Sequence, residues 1–168
     1  MERILIVGCP GAGKSTLARS MAEKLGLPLV HLDVLFWLPG WQQREREEFD
    51  ALLLQELNKP KWIIDGNFSR TLSLRLQYCD TVIFLDFHRL SCVRGVLQRV
   101  CTQRGKVRSD MGAGCPERFD FAFLRSVWNF KKNNRAKLLR RMEDCPGATC
   151  IILRNRREVK RFLASLEQ

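Results

Sequence analysis

The sequence lacks any apolar run that approaches the roughly 18 residues of a membrane-spanning helix. Its first apolar segment, Ile4–Val7, passes directly into a glycine-rich loop, which leaves no room for a signal peptide. We therefore expect a soluble, cytoplasmic protein. Hydrophobic residues make up 45% of the 168 residues, so disorder is disfavoured and the chain can bury a core. No repeat, low-complexity segment or linker divides it, which predicts a single domain over residues 1–168.

The sequence also lacks a C-x-x-C pair, although it contains seven cysteines. An odd number without metal-ligand spacing, in a reducing compartment, argues against disulfides and zinc. Free and mostly buried thiols are the expectation. Cys9 is singled out as sensitive to oxidation, because a helix N-terminus lowers the pKa of a thiol.

Acidic side chains are scarce in the second half of the chain. Residues 1–86 contain 10 basic and 11 acidic residues, whereas residues 87–168 contain 19 basic and 7 acidic residues. The net charge of +11 therefore belongs to the second half. Two explanations compete: arginines that clamp phosphates in a small site, and a surface for nucleic acid. The candidate nucleic-acid patch, which could equally be a solvated helix face, comprises Lys131, Lys132, Arg135, Lys137, Arg140 and Arg141.

A complete G-x-x-x-x-G-K-[ST] motif is present between an apolar strand and a helical pattern. Its glycines allow backbone N–H groups to surround phosphate at a helix N-terminus. Lys14 would reach the β- and γ-phosphates, and the Ser15 hydroxyl would ligate Mg²⁺. The motif predicts binding of a nucleoside triphosphate with Mg²⁺ by Gly8, Cys9, Pro10, Gly11, Ala12, Gly13, Lys14, Ser15 and Thr16.

Apolar strand patterns alternate with helical ones along the chain. This alternation predicts an α/β fold, a five-stranded parallel sheet with helices on both faces. The strands are predicted at Ile4–Val7, Leu29–Leu32, Trp62–Ile64, Val82–Leu85 and Thr149–Leu153, and the helices at residues 15–25, 44–58, 89–104, about 118–142 and 156–166. Core packing is expected for the apolar stripe of the fourth helix, which includes Phe121, Leu124, Val127, Trp128, Leu138 and Leu139.

Carboxylates follow two strands at the edge of the sheet where ligands bind. Asp33 either binds and deprotonates an acceptor hydroxyl or is a turn or N-cap carboxylate. Trp37, with Phe36 and Trp41, could be core or could line a substrate pocket. Asp65 is preferred to Asp86 as the second Mg²⁺ ligand.

Further polar residues would serve the acceptor and the nucleotide. Asn67 lies in a turn that faces the cleft, and Arg70 either reaches an acceptor phosphate or carboxylate or is exposed. A glycine-rich segment at about residues 104–118 is typical of a short mobile lid. Arg99, Arg104 and Arg108, at or beside the lid, either stabilise the transferred phosphoryl group or form a solvated basic face. Arg154, after the last strand, could border the base. His31 is interpreted as structural.

The chain resembles the small P-loop kinases related to adenylate and shikimate kinases, most closely the "topology modulation protein" family. The resemblance covers almost the whole length and is carried by these motifs: Gly13-Lys14-Ser15-Thr16, His31-Leu32-Asp33, Phe36-Trp37, Pro39-Gly40-Trp41, Trp62-Ile63-Ile64-Asp65-Gly66-Asn67, Phe84-Leu85-Asp86, Arg104-Gly105-Lys106 with Arg108, Asp110-Met111-Gly112, Gly114-Cys115-Pro116 and Ile151-Ile152-Leu153-Arg154. It implies a three-layer α/β/α P-loop NTPase fold with a lid, ATP binding, and kinase or NTPase activity.

One departure from adenylate kinases concerns the acceptor. Those enzymes have Asp-Gly-Phe-Pro-Arg after the third strand, whereas this chain has Asp65-Gly66-Asn67-Phe68-Ser69-Arg70, which argues against AMP. Three hypotheses follow. The first is an ATP-dependent kinase for a small-molecule acceptor, with Lys14, Asp33, Arg104 and Arg108 as catalytic residues and Asp33, Trp37, Asp65, Asn67 and Arg70 around the acceptor. The second is a nucleotide-regulated protein that binds or modulates DNA, and the third is an NTPase without a specific acceptor.

Overall fold

The central sheet forms where the apolar patterns predict it. In the computed structural model, residues 1–145 and 147–166 are described. The strands in chain order are β1 (Arg3–Gly8), β2 (Leu29–His31), β3 (Trp37–Leu38), β4 (Gln42–Gln43), β5 (Trp62–Asp65), β6 (Thr81–Leu85) and β7 (Thr149–Leu153). Five of them make a fully parallel sheet in the order β2-β5-β1-β6-β7. The other two form an antiparallel hairpin in which Trp37 pairs with Gln43.

Helices connect the strands. They are α1 (Lys14–Leu25), α2 (Leu32–Phe36), α3 (Arg46–Leu57), α4 (Leu72–Tyr78), α5 (Arg89–Gln103), α6 (Phe121–Phe130), α7 (Ala136–Glu143) and α8 (Arg156–Ser165). A 3₁₀ turn, Pro39–Trp41, joins β3 to β4, and a π-helical turn, Lys131–Arg135, joins α6 to α7. Among the described residues, no helix combines the length and the apolar character needed to span a membrane.

The period-two alternation of β1 divides the core into two layers. Ile4 and Ile6 join a buried cluster that also contains side chains of α1, α5, α6 and α8. Leu5 and Val7 point to the opposite face and join a cluster with α3, α4 and α7. The predicted α/β fold, a five-stranded parallel sheet with helices on both faces, is therefore confirmed.

The predicted helix at residues 118–142 is largely present but not continuous as an α-helix. It begins at Phe121, because the Oδ1 atom of Asp120 caps it by accepting a hydrogen bond from the Phe123 N–H at 2.9 Å. The expected broad core stripe is wrong at two positions. Phe121 is 73% exposed, and Trp128 is 42% exposed with the Arg89 guanidinium 4.5 Å from its ring. Val127 and Leu138 are buried as expected.

Two connections hold structure that the sequence patterns do not indicate. The segment after β2 forms α2 and the β3–β4 hairpin, and the segment after β5 contains α4. Helix α2 has five residues, strand β3 has two and helix α4 has seven, so each is too short to show a clear hydrophobic period. The first segment matters most here, because it places Trp37 and Trp41 beside the carboxyl ends of the strands.

Backbone contacts hold the predicted lid at residues 104–118 in two places, at its base and against the β3–β4 hairpin. At its base Arg104 and Glu117 form a bridge, and the Gly105 N–H donates to the Glu117 carbonyl at 3.0 Å. At its tip the Gly40 N–H of the hairpin donates to the Gly114 carbonyl at 3.1 Å. A Cβ atom on Gly112 would lie 2.0 Å from the Trp37 carbonyl oxygen, so this close approach requires glycine. The lid therefore packs directly on the hairpin.

Candidate active site

The loop between β1 and α1 has the backbone that phosphate binding requires. Gly11 and Gly13 have φ values of 81° and 96°, and a Cβ on Gly11 would lie 2.2 Å from the Cys92 carbonyl oxygen. No side chain caps the N-terminus of α1, which begins at Lys14. The first N–H groups of a helix lack intrahelical partners, so they are available to phosphate oxygens.

A cleft of about 840 Å³ opens over this loop at the carboxyl ends of the strands. The Lys14 ammonium group is held there by the carbonyls of Gly8, at 3.0 Å, and Cys9, at 3.4 Å. Among the residues predicted for the nucleotide, Gly8 and Ala12 are buried behind the loop. Seven of the predicted nucleotide-binding residues do line the cleft: Pro10, Gly11, Gly13, Lys14, Ser15, Thr16 and Arg99.

Ser15 and Asp65, the predicted metal ligands, are in direct contact. The Ser15 hydroxyl donates to the Asp65 Oδ2 atom at 2.6 Å, and His31 Nδ1 lies 3.1 Å from the same oxygen. The Oδ1 atom of Asp65 is buried and has no hydrogen-bond partner among the described residues. A hydroxyl oxygen beside an unpaired carboxylate oxygen fits Mg²⁺, which prefers oxygen ligands.

The donor set also fits the way Mg²⁺ is usually held in such clefts. In the part of the chain that the structure describes, no group of three or more His, Cys, Asp or Glu side chains could bind a metal. Mg²⁺ binds through one or two carboxylates together with water and substrate phosphates, so it does not need such a cage. Asp86, the alternative ligand, accepts contacts from Arg135 Nε at 2.9 Å and Lys131 Nζ at 3.5 Å.

Asp33 lines the same cleft, as the second residue of α2. It is not an N-cap, because that position belongs to His31. Burial, followed by the nearby charge of Asp65, raises the pKa of Asp33 above its ordinary value, although Lys14 and Arg108 act in the opposite direction. A more basic carboxylate is better suited to accept a proton from a substrate hydroxyl.

A network of charges holds the lid over the phosphate loop. Glu117 is buried, and its Oε2 atom lies 3.1 Å from Arg99 Nε and 3.0 Å from Arg108 Nε. Arg108 Nη1 also donates to Asp110 Oδ2 at 3.1 Å. Burial opposes the ionisation of Asp110, but the charge of Arg108 and the neighbouring Ser15 hydroxyl hold its pKa below the ordinary value. The lid thus brings Arg108 and a carboxylate to the loop.

Arg99 is the other arginine of this network, and it lines the nucleotide side of the cleft. Burial, followed by the positive charge of Arg108, lowers its pKa. Two cations that repel each other are held together here by the single carboxylate of Glu117. This arrangement concentrates positive charge where the phosphates of a nucleotide would lie.

Three predicted arginines do not line the cleft. Arg104 is exposed, and its backbone forms the bridge to Glu117 at the base of the lid. Arg70 is exposed and forms a two-pronged ion pair with Asp50, at 2.8 and 2.6 Å. Arg154 is exposed as well, while Arg156, at the start of α8, lines the cleft.

Arg75 is a residue of the site that the sequence interpretation missed. It is fully buried, and its guanidinium donates to the carbonyls of Gly66, Asn67 and Phe68 in the loop after β5. Burial lowers its pKa to about 9. The spacing from Leu72 offered a signal, since residues three apart share a helix face and Leu72 is buried. Arg75 fixes the loop that carries Asn67 into the cleft.

The expectation for Cys9 is wrong in its direction. A hydrogen bond with Cys92, then burial, raises the pKa of the Cys9 thiol, because the sulfur points into the core rather than toward the helix N-terminus. The cysteines are largely buried, as expected: Cys9, Cys79, Cys92 and Cys115 are buried, Cys145 is half-buried, and Cys101 and Cys150 are exposed.

The predicted nucleic-acid patch is partly engaged within the protein. Lys131 and Arg135 both contact Asp86, and Arg141 donates to the Ser69 carbonyl. These contacts favour a structural role for part of the basic run.

Comparisons with known proteins agree with this architecture. A family model described as "ATPase family associated with various cellular activities (AAA)" matches residues 4–90, which include the phosphate loop, Asp33 and Asp65. This match spans just over half of the chain, and the chain belongs to that family. The protein is thus a P-loop protein of an ATPase family.

Solved structures with the same fold include two shikimate kinases. The enzyme from Bacteroides thetaiotaomicron is 17% identical, with a TM-score of 0.56 over 99% of this chain and 96% of that chain. The enzyme from Acinetobacter baumannii, solved with shikimate, is 15% identical, with a TM-score of 0.60 over 99% of this chain and 90% of that chain. The sequence matches none of the curated proteins with which it was compared.

Proposed function

We propose that this protein is a kinase that transfers the γ-phosphoryl group of ATP to a hydroxyl group of a small molecule. The observation that carries the proposal is the position of Asp33. Its carboxylate, with a raised pKa, lines one cleft with Lys14 and with the Ser15–Asp65 pair. A protein that only hydrolysed ATP would not need an aromatic pocket beside such a carboxylate, yet Trp37 and Trp41 line the same cleft.

In the proposed reaction, the N–H groups of the loop and the Lys14 ammonium bind the β- and γ-phosphates. Ser15 and Asp65 would hold Mg²⁺, which neutralises charge on these phosphates when it is bound. Asp33 accepts the proton of the acceptor hydroxyl as its oxygen bonds to the γ-phosphorus. The bond from that phosphorus to the bridging oxygen of ADP breaks, and Arg108 and Arg99 stabilise the charge that develops.

Three finer aspects stay predictions under this proposal: the resemblance to the "topology modulation protein" family, the cytoplasmic location, and the binding of DNA. Binding of DNA gains no support, since Lys131 and Arg135 of the basic run are bound to Asp86.

The test is transfer of label from γ-³²P ATP in the presence of a panel of small alcohols and nucleosides. We expect the label in a product other than inorganic phosphate, and loss of that product in Asp33→Asn with ATP affinity retained. Asp144→Asn, which changes an exposed carboxylate after α7, is the matched control and should transfer normally. Label found only in inorganic phosphate, at a rate that no compound accelerates, would show an NTPase instead.

A further inference from the structure

The acceptor side of the cleft is lined by aromatic rings. Trp37, Trp41 and Phe68 line it, together with Met111 of the lid. The rings of Trp37 and Trp41 meet edge to face at 5.5 Å, and Phe68 is anchored by Phe36 at 4.9 Å. Ring contacts of this kind fix side-chain positions, so the wall is rigid. Rigid aromatic faces favour flat, largely apolar ligands.

Two of these aromatic residues hold an unusual backbone. Within residues 1–145 and 147–166, the non-glycine residues with positive φ are Trp41, at 63°, and Phe68, at 29°. Bulky side chains rarely adopt this conformation, and such strain clusters at ligand clamps. Both strained residues line the acceptor side of one cleft. Phe68 also packs on the core cluster beside Phe49, so the core supports the wall from behind while the strained backbone directs both rings to the cleft.

Polar groups beside the wall lack protein partners. The Trp41 Nε1 atom is buried without a hydrogen-bond partner among the described residues. The Arg118 guanidinium lies over the Trp41 ring, 5.0 Å from its centre, and forms no ion pair in the described part of the chain. By contrast, Arg70 is paired with Asp50, and Arg108 is paired with Asp110 and Glu117. Stacking uses the face of a guanidinium and leaves its N–H edge free for an anion.

We propose that the acceptor is a hydroxyl compound with a flat aromatic ring and an anionic group, carboxylate or phosphate. This inference rests on the proposed function, because Asp33 defines where the hydroxyl lies. The ring packs against Trp37 and Trp41, and the anion binds at Arg118. Arg118 and Trp41 are thus residues that determine specificity.

The experiment measures binding, not turnover, with Mg²⁺ and the non-hydrolysable analogue AMP-PNP at saturation. Quenching of tryptophan fluorescence reports the affinity of 4-(hydroxymethyl)benzoate and of 4-(hydroxymethyl)phenyl phosphate, which separate the two anions. Benzyl alcohol lacks the anion, 4-methylbenzoate lacks the hydroxyl, and trans-4-(hydroxymethyl)cyclohexanecarboxylate lacks the flat ring. We expect one aromatic anion to bind about tenfold or more tightly than each matched compound, as a charge-assisted contact implies.

Variants assign the effect to residues. Arg118→Gln should remove the advantage of the anion over benzyl alcohol, and Trp41→Leu should remove the advantage of the flat ring over the saturated one. Arg70→Gln, outside the cleft, should change neither. The inference is overturned if the saturated or neutral compound binds equally well, if Arg118→Gln keeps the preference, or if neither aromatic anion binds. Binding of AMP-PNP is followed in the same samples; its absence would refute the proposed function instead.

Discussion

The side chain of Asn67 is bonded to the backbone of Gly8: its Oδ1 atom accepts from the Gly8 N–H at 3.0 Å. This bond joins the loop after β5 to the first residue of the phosphate loop. Arg75 holds the other side of the same loop through three carbonyls. The acceptor side and the nucleotide side are therefore coupled through Asn67, and one buried arginine supports the coupling.

Arg75→Met should lower the free energy of unfolding by about 3 kcal/mol or more. The change leaves buried carbonyls without donors, and each such group costs roughly 1–3 kcal/mol. Arg75→Lys should retain part of the stability, because an ammonium group can still donate but cannot span the carbonyls as a planar fork does. Urea unfolding measures both. Arg140→Met, on the exposed face of α7, should stay within about 0.5 kcal/mol of the parent, and an equal loss there would contradict the account.

Gly112→Ala should release the lid from the hairpin. The added Cβ would lie 2.0 Å from the Trp37 carbonyl oxygen, and overpacking of this kind costs roughly 1–3 kcal/mol. The measurement is hydrogen exchange of the Gly40 amide, which is bonded to Gly114. We expect faster exchange there. Gly147→Ala, outside the lid, is the control, since its φ is not positive and nothing lies within 4 Å of its added Cβ. Unchanged exchange in Gly112→Ala would show that the lid is not fastened at this point.

Asp33→Asn should lower the transfer activity and raise the stability of the fold, and the gain in stability should depend on pH. The folded-state pKa is raised, mainly by burial, so the folded protein holds a proton that the unfolded chain loses first. Above the folded pKa, the buried charge destabilises the protein, and the amide should raise Tm at neutral pH. Below the ordinary pKa of about 3.9 the difference should vanish, since both states are protonated.

The rate of phosphoryl transfer is the second measurement on Asp33→Asn. Loss of a general base costs about 10²- to 10⁴-fold in rate. In the parent, activity should rise with pH as Asp33 loses its proton. A lower Tm in Asp33→Asn at neutral pH, or an unchanged transfer rate, would contradict the assignment of Asp33 as a buried catalytic carboxylate.

Arg70→Gln should leave acceptor binding intact. Its guanidinium is occupied by Asp50 outside the cleft, and the pair is exposed, so the cost in stability should stay near or below about 1 kcal/mol. Steady-state kinetics with the acceptor identified by the label-transfer screen would check this. A rise in KM of tenfold or more would place Arg70 at the acceptor after all.

The sequence predicted the sheet and the phosphate site because both have strong local signals. Buried parallel strands such as Ile4–Val7 are continuous apolar runs in the sequence. The spacing of Gly8, Gly13 and Lys14 predicts a phosphate-binding loop when it lies between a strand and a helix. The placement of Asp33 and Asp65 at the cleft was predicted for a related reason. Each directly follows a strand, and the topology of a parallel sheet brings such positions together at one edge.

The remaining site residues depend on pairings that no local pattern encodes. Arg70 and Arg104 have the same residue type as the arginines that line the cleft, but Arg70 pairs with Asp50 and Arg104 is exposed. Arg75 is distinguished from them only by burial against three carbonyls. Arg118 contacts Trp41 across 77 positions of chain, as the hairpin and the lid meet. Long-range contacts of this kind require the structure.

The most direct test of the account is the affinity for Mg²⁺-ATP in Lys14→Met, measured by isothermal titration calorimetry beside the parent. Lys137→Met, which removes an exposed lysine of α7, serves as the control. We predict a loss of about 30-fold or more in Lys14→Met, as expected for a charge-assisted contact of roughly 2 kcal/mol or more, and no change in the control. Equal affinity in Lys14→Met and the parent, with nucleotide-dependent activity retained, would contradict the account.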